Sequence, residues 1–301
     1  MTAKSMNNKQ LNGILLKGVG GFYTVEAADA VYVCRARGAF RKEKITPLAG
    51  DRVRITVTDG RSENTIDTIE PRKNFLLRPP VANIDNLIIV AATSVPRPSA
   101  LLIDKLIAIA EYKAMEPIVV FTKTDEQPAD DLAAIYKAAG ICCLAVSNET
   151  GEGVDAVRDL LLGKVSAFTG NSGVGKTSLL NRLDPSLSLA TGAVSDKLGR
   201  GRHTTRQAEL FKTCGGYIVD TPGFSALEPE KTEWIPKEEL ADCFREFRPF
   251  LGQCKFTSCS YTCDKGCRVL EAVESGEISA SRHQSYVQMY NAVKDKKAWE
   301  T

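Results

Sequence analysis

The stretch Gly170-Asn171-Ser172-Gly173-Val174-Gly175-Lys176-Thr177 satisfies G-x-x-x-x-G-K-[ST] in full. Glycines at this spacing let backbone N–H groups converge on a phosphate without interference from side chains. Lys176 would neutralise β- and γ-phosphate charge, and the Thr177 hydroxyl, followed by Ser178, would ligate Mg²⁺. The loop follows the apolar run Val165–Thr169 and opens a helix, whose amino-terminal dipole favours an anion. Downstream, Asp220-Thr221-Pro222-Gly223 closes another apolar strand. Asp220 there would hold Mg²⁺, often through water, and the Gly223 amide would meet a γ-phosphate. Nucleoside triphosphate chemistry is the first expectation.

Two upstream loops narrow the base. Thr122-Lys123-Thr124-Asp125 resembles the [N/T]-K-x-D base loop of GTPases. A carboxylate at Asp125 accepts from guanine N1–H and N2–H₂, and adenine offers no such donor pair. The Lys123 stem would cover the base, and Thr122 stands where Asn is commoner. Ser147-Asn148-Glu149-Thr150-Gly151-Glu152-Gly153 looks like the S-A-x-T-G-x-G loop whose backbone contacts the guanine oxygen. In most GTPases these loops follow the phosphate loop, and here both precede it. A parallel sheet sets such loops at the carboxyl ends of its strands whatever their chain order, so one ligand can still bridge them.

Cys254, Cys259, Cys263 and Cys267 crowd into C-x4-C-x3-C-x3-C. The polar start Met1–Gln10 has no secretory core, and the longest apolar run, Leu87–Ala92, is too short to cross a bilayer. A cytoplasmic protein without membrane attachment is expected, and reduced thiols there point to metal ligation rather than disulfides. Structural Zn²⁺ takes four tetrahedral N/S donors, and four thiolates leave no open position for catalysis. Cys243 is read as a small apolar residue on a helix, and His283 as a surface residue outside the cluster.

Elements must hold these groups. At 301 residues, with 43% apolar and 25% charged residues, the composition is that of a soluble globular protein of two or three domains. The net charge of +2 names no polyanionic partner, although residues up to Lys73 are locally basic. Gly21–Val25, Ala30–Arg35, Asp51–Val57 and Asn64–Ile69 read as short strands of a small barrel, OB-like or SH3-like. After Arg78-Pro79-Pro80 the chain alternates: strand Ile84–Ala92, helix Ala100–Lys113, strand Glu116–Phe121, helix Asp130–Ala139, strand Ile141–Val146, helix Val154–Leu161. The pattern continues through the strand Lys164–Thr169, the helix Lys176–Leu183 and the strand Tyr217–Asp220, which is doubly wound α/β. Beyond Pro222-Gly223 come helices Lys237–Phe244, Val269–Ser275 and Arg282–Trp299. The expected fold is a circularly permuted α/β P-loop GTPase domain (77–230), flanked by an N-terminal all-β OB-like barrel binding RNA (1–76) and a C-terminal α-helical zinc module (231–301).

Permuted loop order, basic barrel and cysteine module together resemble the RsgA-type small ribosomal subunit biogenesis GTPases of bacteria, over nearly the whole chain. Gly201-Arg202-His203-Thr204-Thr205-Arg206 matches the family's switch-one element. The resemblance implies GTP hydrolysis stimulated by the small subunit and its rRNA during late assembly, by a monomer cycling between GTP and GDP. It implies that Thr205, or Thr204, caps γ-phosphate and Mg²⁺. It also gives the water-orienting role to His203, one of only two histidines. Phe224 stands where many GTPases carry the glutamine for that task. The family's C-x4-C-x-H-x5-C pattern maps onto Cys254, Cys259 and Cys267 but meets Tyr261 at its histidine. Cys263 is then the nearest substitute for a Cys₄ zinc site; the alternative keeps three cysteines. An rRNA-binding scaffold with slow, mainly regulatory turnover is the competing function, and an ATPase or kinase is disfavoured by Asp125.

Overall fold

The computed structural model describes residues 8–42, 44–58, 63–77, 79–187, 208–220 and 233–296. The first domain is a closed barrel of β1 (Asn8–Val19), β2 (Phe22–Ala27), β3 (Ala30–Ala36), β4 (Arg52–Thr58) and β5 (Asn64–Ile69), with α1 (Gly38–Lys42) after β3. Period-two patterning builds it: Val53 and Ile55 face inward while Arg52 and Arg54 face solvent. The order β1-β2-β3-β5-β4 closes through β1–β4, and β3 runs parallel to β5. Such a five-stranded closure is the OB rather than the SH3-like solution. Strand β1 was not legible in the sequence because Gly13 and Gly18 interrupt its apolar alternation. A bulge between Leu15 and Lys17 lets it pair with both β2 and β4. Gly13 is required there, since a Cβ would lie 2.4 Å from the Glu26 carbonyl oxygen.

A hairpin of β6 (Phe75–Leu77) and β7 (Pro80–Ala82) leads into a six-stranded sheet. Its strands are β8 (Asn86–Ala92), β9 (Glu116–Thr122), β10 (Cys142–Ala145), β11 (Val165–Thr169), β12 (Glu209–Thr213) and β13 (Gly216–Asp220), in the order β10-β9-β8-β11-β13-β12. All run parallel except β12, an antiparallel edge too polar to be read as a strand from sequence. Every residue of β8 is buried. Leu87, Ile89 and Ala91 enter one core while Ile88, Val90 and Ala92 enter the other, as a strand covered on both faces must. Helices α2 (Ala100–Tyr112), α3 (Asp130–Ala138), α4 (Val154–Leu161) and α5 (Lys176–Leu183) complete the layers.

The carboxyl-terminal module comprises α6 (Lys237–Leu240), α7 (Arg268–Ser275) and α8 (Ala280–Val293). The helix expected over Lys237–Phe244 is α for its first turn only. It tightens to 3₁₀ at Ala241–Cys243 and ends where Phe244 turns extended to enter the core. Helix α8 starts two residues before the expected Arg282 and ends at Val293; Trp299 lies outside the described residues. Cys243 is buried as expected, and desolvation pushes its thiol up to about 12.

Candidate nucleotide site and metal centre

The loops after β8, β9, β10 and β11, and the end of β13, lie along the carboxyl edge of adjacent parallel strands. The phosphate loop leaves β11 at the sheet centre. Gly170 adopts φ +147°, and a Cβ on it would meet the Val90 carbonyl oxygen at 2.3 Å. Gly173 and Gly175 are left-handed, at φ +81° and +86°, so the loop requires glycine at these turns. Asn171, Ser172 and Gly173 are exposed and Val174 packs inward. Lys176 is 6% exposed and its Nζ donates to the Gly170 carbonyl at 3.1 Å, arching back over the loop. Thr177 and Ser178 are half-buried on the first turn of α5, beside Lys176.

The base loops are fastened to this one. Thr122 is fully buried and its Oγ1 donates to the Val174 carbonyl. Asn148 Nδ2 donates to the Gly175 carbonyl at 3.0 Å. Lys123 has φ +61° and its Nζ reaches the Val95 carbonyl. Thr124 is half-buried and Asp125 stands exposed at the loop tip. Ser147 Oγ accepts from the Glu149 and Thr150 amides at 3.2 and 3.1 Å, curling the second loop around itself. Two supports were not expected from sequence. Thr93 Oγ1 donates to the Thr122 and Lys123 carbonyls, and Arg182 reaches the Glu149 carbonyl at 2.7 Å. A buried threonine ending the apolar run of β8 was the available signal for the first. His203, Thr204, Thr205 and Gly223 lie outside the described residues, and Asp220 is described by its backbone, at the end of β13.

The cysteine cluster forms in part. The sulfurs of Cys254, Cys259 and Cys267 all lie within 4.8 Å of one another. Cys254 and Cys267 sulfurs are 3.9 Å apart, close to the ~3.8 Å that tetrahedral Zn–S bonds of about 2.3 Å require. Backbone amides of Tyr261 and Arg268 point at the Cys259 and Cys254 sulfurs, both at 3.4 Å, as they do around thiolate ligands. The donor set fits a metal. Burial raises the Cys259 and Cys267 thiols, so a cation is what would hold them ionised. The expected fourth ligand, Cys263, is not among them and is exposed. The Asp264 carboxylate accepts from the Ser260 amide and hydroxyl, at 2.9 and 2.6 Å, closing a short loop that leaves Cys263 outside the cluster. His283, expected at the surface, is half-buried with its Nε2 2.9 Å from the Tyr261 carbonyl oxygen.

Two consecutive segments of the chain match separate family models: RsgA N-terminal domain over residues 12–64, and RsgA GTPase over 69–230. A small ribosomal subunit biogenesis GTPase RsgA of Caldanaerobacter subterraneus subsp. tengcongensis is 43% identical, with 96% of this chain and 97% of that protein covered. One from Geobacillus thermodenitrificans is 42% identical over 95% and 98%. Among solved structures, YjeQ from Thermotoga maritima superimposes with a TM-score of 0.80 at 34% identity, covering 96% of this chain and all of that one. YloQ, described as a circularly permuted GTPase, gives 0.77 at 33%, covering 96% of each. Loop order, sheet topology and these matches agree along almost the full length, and the chain belongs to the RsgA family as a circularly permuted GTPase.

Proposed function

We propose that this protein hydrolyses GTP in late assembly or maturation of the small ribosomal subunit, and that the subunit stimulates turnover. The carrying observation is that both base loops are tied directly to consecutive carbonyls of the phosphate loop. That arrangement supports a site in which Asp125 reads guanine, Lys123 covers it, and Gly170–Ser178 cradle the phosphates. Thr177, Thr205 and Asp220 would hold Mg²⁺, which neutralises charge developing on the transferred phosphoryl group. Lys176 would add to that neutralisation, Gly223 would donate to the γ-phosphate, and His203 would orient the attacking water. The domain division 1–76, 77–230 and 231–301 belongs to the same reading, with the protein working as a cytoplasmic monomer. Among the described residues, no helix is long and apolar enough to cross a membrane.

The relatives' name supports the ribosomal setting. The barrel's basic surplus is weaker support, because Lys17, Arg35, Arg37 and Arg72 already pair with Glu209, Glu63, Asp67 and Asp51. At the metal centre Cys254, Cys259 and Cys267 would hold Zn²⁺, which would clamp the loop before α7. The test is GTP turnover with and without purified small subunits, for wild type and His203→Ala. Stimulation should appear in wild type and fall by two orders of magnitude or more in the variant, while GDP affinity stays unchanged. Equal stimulation in both would remove His203 from the mechanism. Subunit binding without stimulation would favour the scaffold reading, which Phe224 in the glutamine position supports.

A further inference from the structure

Thr122 carries a single donor, and it is shared between the Ala91 carbonyl, at 3.4 Å, and the Val174 carbonyl. The neighbouring carbonyl, Gly175, caps α5: it accepts from the Leu179 amide at 2.9 Å and from Asn148 Nδ2 at 3.0 Å. Space for this exists only because residue 175 is glycine, since a Cβ would lie 2.7 Å from Asn148 Nδ2 and 3.6 Å from Thr122 Oγ1. The other end of the amide, Asn148 Oδ1, is buried without a donor among the described residues. A buried acceptor left unpaired costs more than one ordinary hydrogen bond returns. Among the described residues, then, the Asn148 amide adds little to folding. Nor does the loop need it for shape, because Ser147 Oγ, Arg182 and the Ser147–Glu152 backbone bond already fix the turn.

We infer that Asn148 is a positioning residue for the guanine nucleotide: with Thr122 it ties the base loops to the cap of the phosphate-loop helix, and its buried carbonyl gains its donor only in the nucleotide-bound state. An amide at 148 supplies what the hydroxyl at 122 cannot, a second donor onto the phosphate loop. Base recognition and phosphate recognition are thereby mechanically linked, so an error in one loop displaces the other. The inference rests on the guanine-nucleotide reading above and adds a role for one side chain within it.

The test uses the full chain, a fluorescent GDP analogue and thermal unfolding with and without GDP, for wild type, Asn148→Ala, and Asn148→Ala combined with Thr122→Asn. Asn148→Ala should melt at the wild-type temperature or higher without nucleotide, yet bind GDP about tenfold more weakly, the effect of one lost tether. Asparagine at 122 should restore most of that affinity, because it returns an amide within reach of the same carbonyls. A lower melting temperature with unchanged GDP affinity would make Asn148 merely structural and overturn the inference. So would two unchanged quantities, or a failure of Thr122→Asn to rescue. If wild type bound no GDP at all, the guanine-nucleotide reading would fail, independently of Asn148.

Discussion

Single backbone positions decide whether the phosphate loop can exist. Gly170 combines a φ of +147° with a position where any Cβ would clash with the Val90 carbonyl, a conformation and a clearance that L side chains do not tolerate. Gly170→Ala is expected to cost about 1–3 kcal/mol of stability, the usual range for forced backbone strain, and to abolish GDP binding. Thermal unfolding and a GDP titration would show it; wild-type GDP affinity in this variant would mean that the crowding is relieved at no cost. At the same scale the sequence was a good guide to residue type but not to partner. Lys176 and Asp125 could be named from motif alone. That Thr122 and Asn148 face the phosphate loop could not, since both contacts join positions far apart in sequence.

Helix α2 links the nucleotide domain to the cysteine module. Its Asp104 receives Arg282 from α8 at 2.6 Å, and Arg282 also donates to Glu246 at 2.7 and 3.2 Å. Arg282 and Asp104 are each 1% exposed, and Arg282 also lies over the Phe244 ring at 4.7 Å. Burial raises the Asp104 carboxyl while the guanidinium opposes that shift. Nearer the surface, Arg245 and Arg248 both reach Glu111 on α2. Arg282→Leu would leave two carboxylates buried without a cation, and a loss of roughly 3–5 kcal/mol is expected. Urea unfolding of the metal-loaded protein measures it, and a further Asp104→Leu change should recover part of the loss. An unchanged midpoint would show that the network contributes nothing net. Sequence placed Arg282 at a helix start with no hint of burial, because an arginine is buried only when other elements bring it partners.

Across the whole molecule, the three clustered cysteines belong to a module whose core of Phe244, Phe247 and Tyr286 continues onto Ala108 and Ile109 of α2. Cys254→Ser should therefore lower bound zinc from about one equivalent to near none, whereas Cys263→Ser should leave it unchanged, since that thiol lies outside the cluster. Metal analysis of the purified variants decides this; loss of zinc in Cys263→Ser would bring that thiol back as the fourth ligand. The sequence by itself determined the nucleotide loops, the permuted order, the parallel sheet and the presence of a small barrel, because each is written in local periodicity or in short motifs. Only the tertiary structure decided how β1 closes the barrel, that β12 is an antiparallel edge, which three cysteines meet, and that Arg282 is buried. Those features depend on residues distant in the chain meeting in space, and spacing along a sequence carries no record of such meetings.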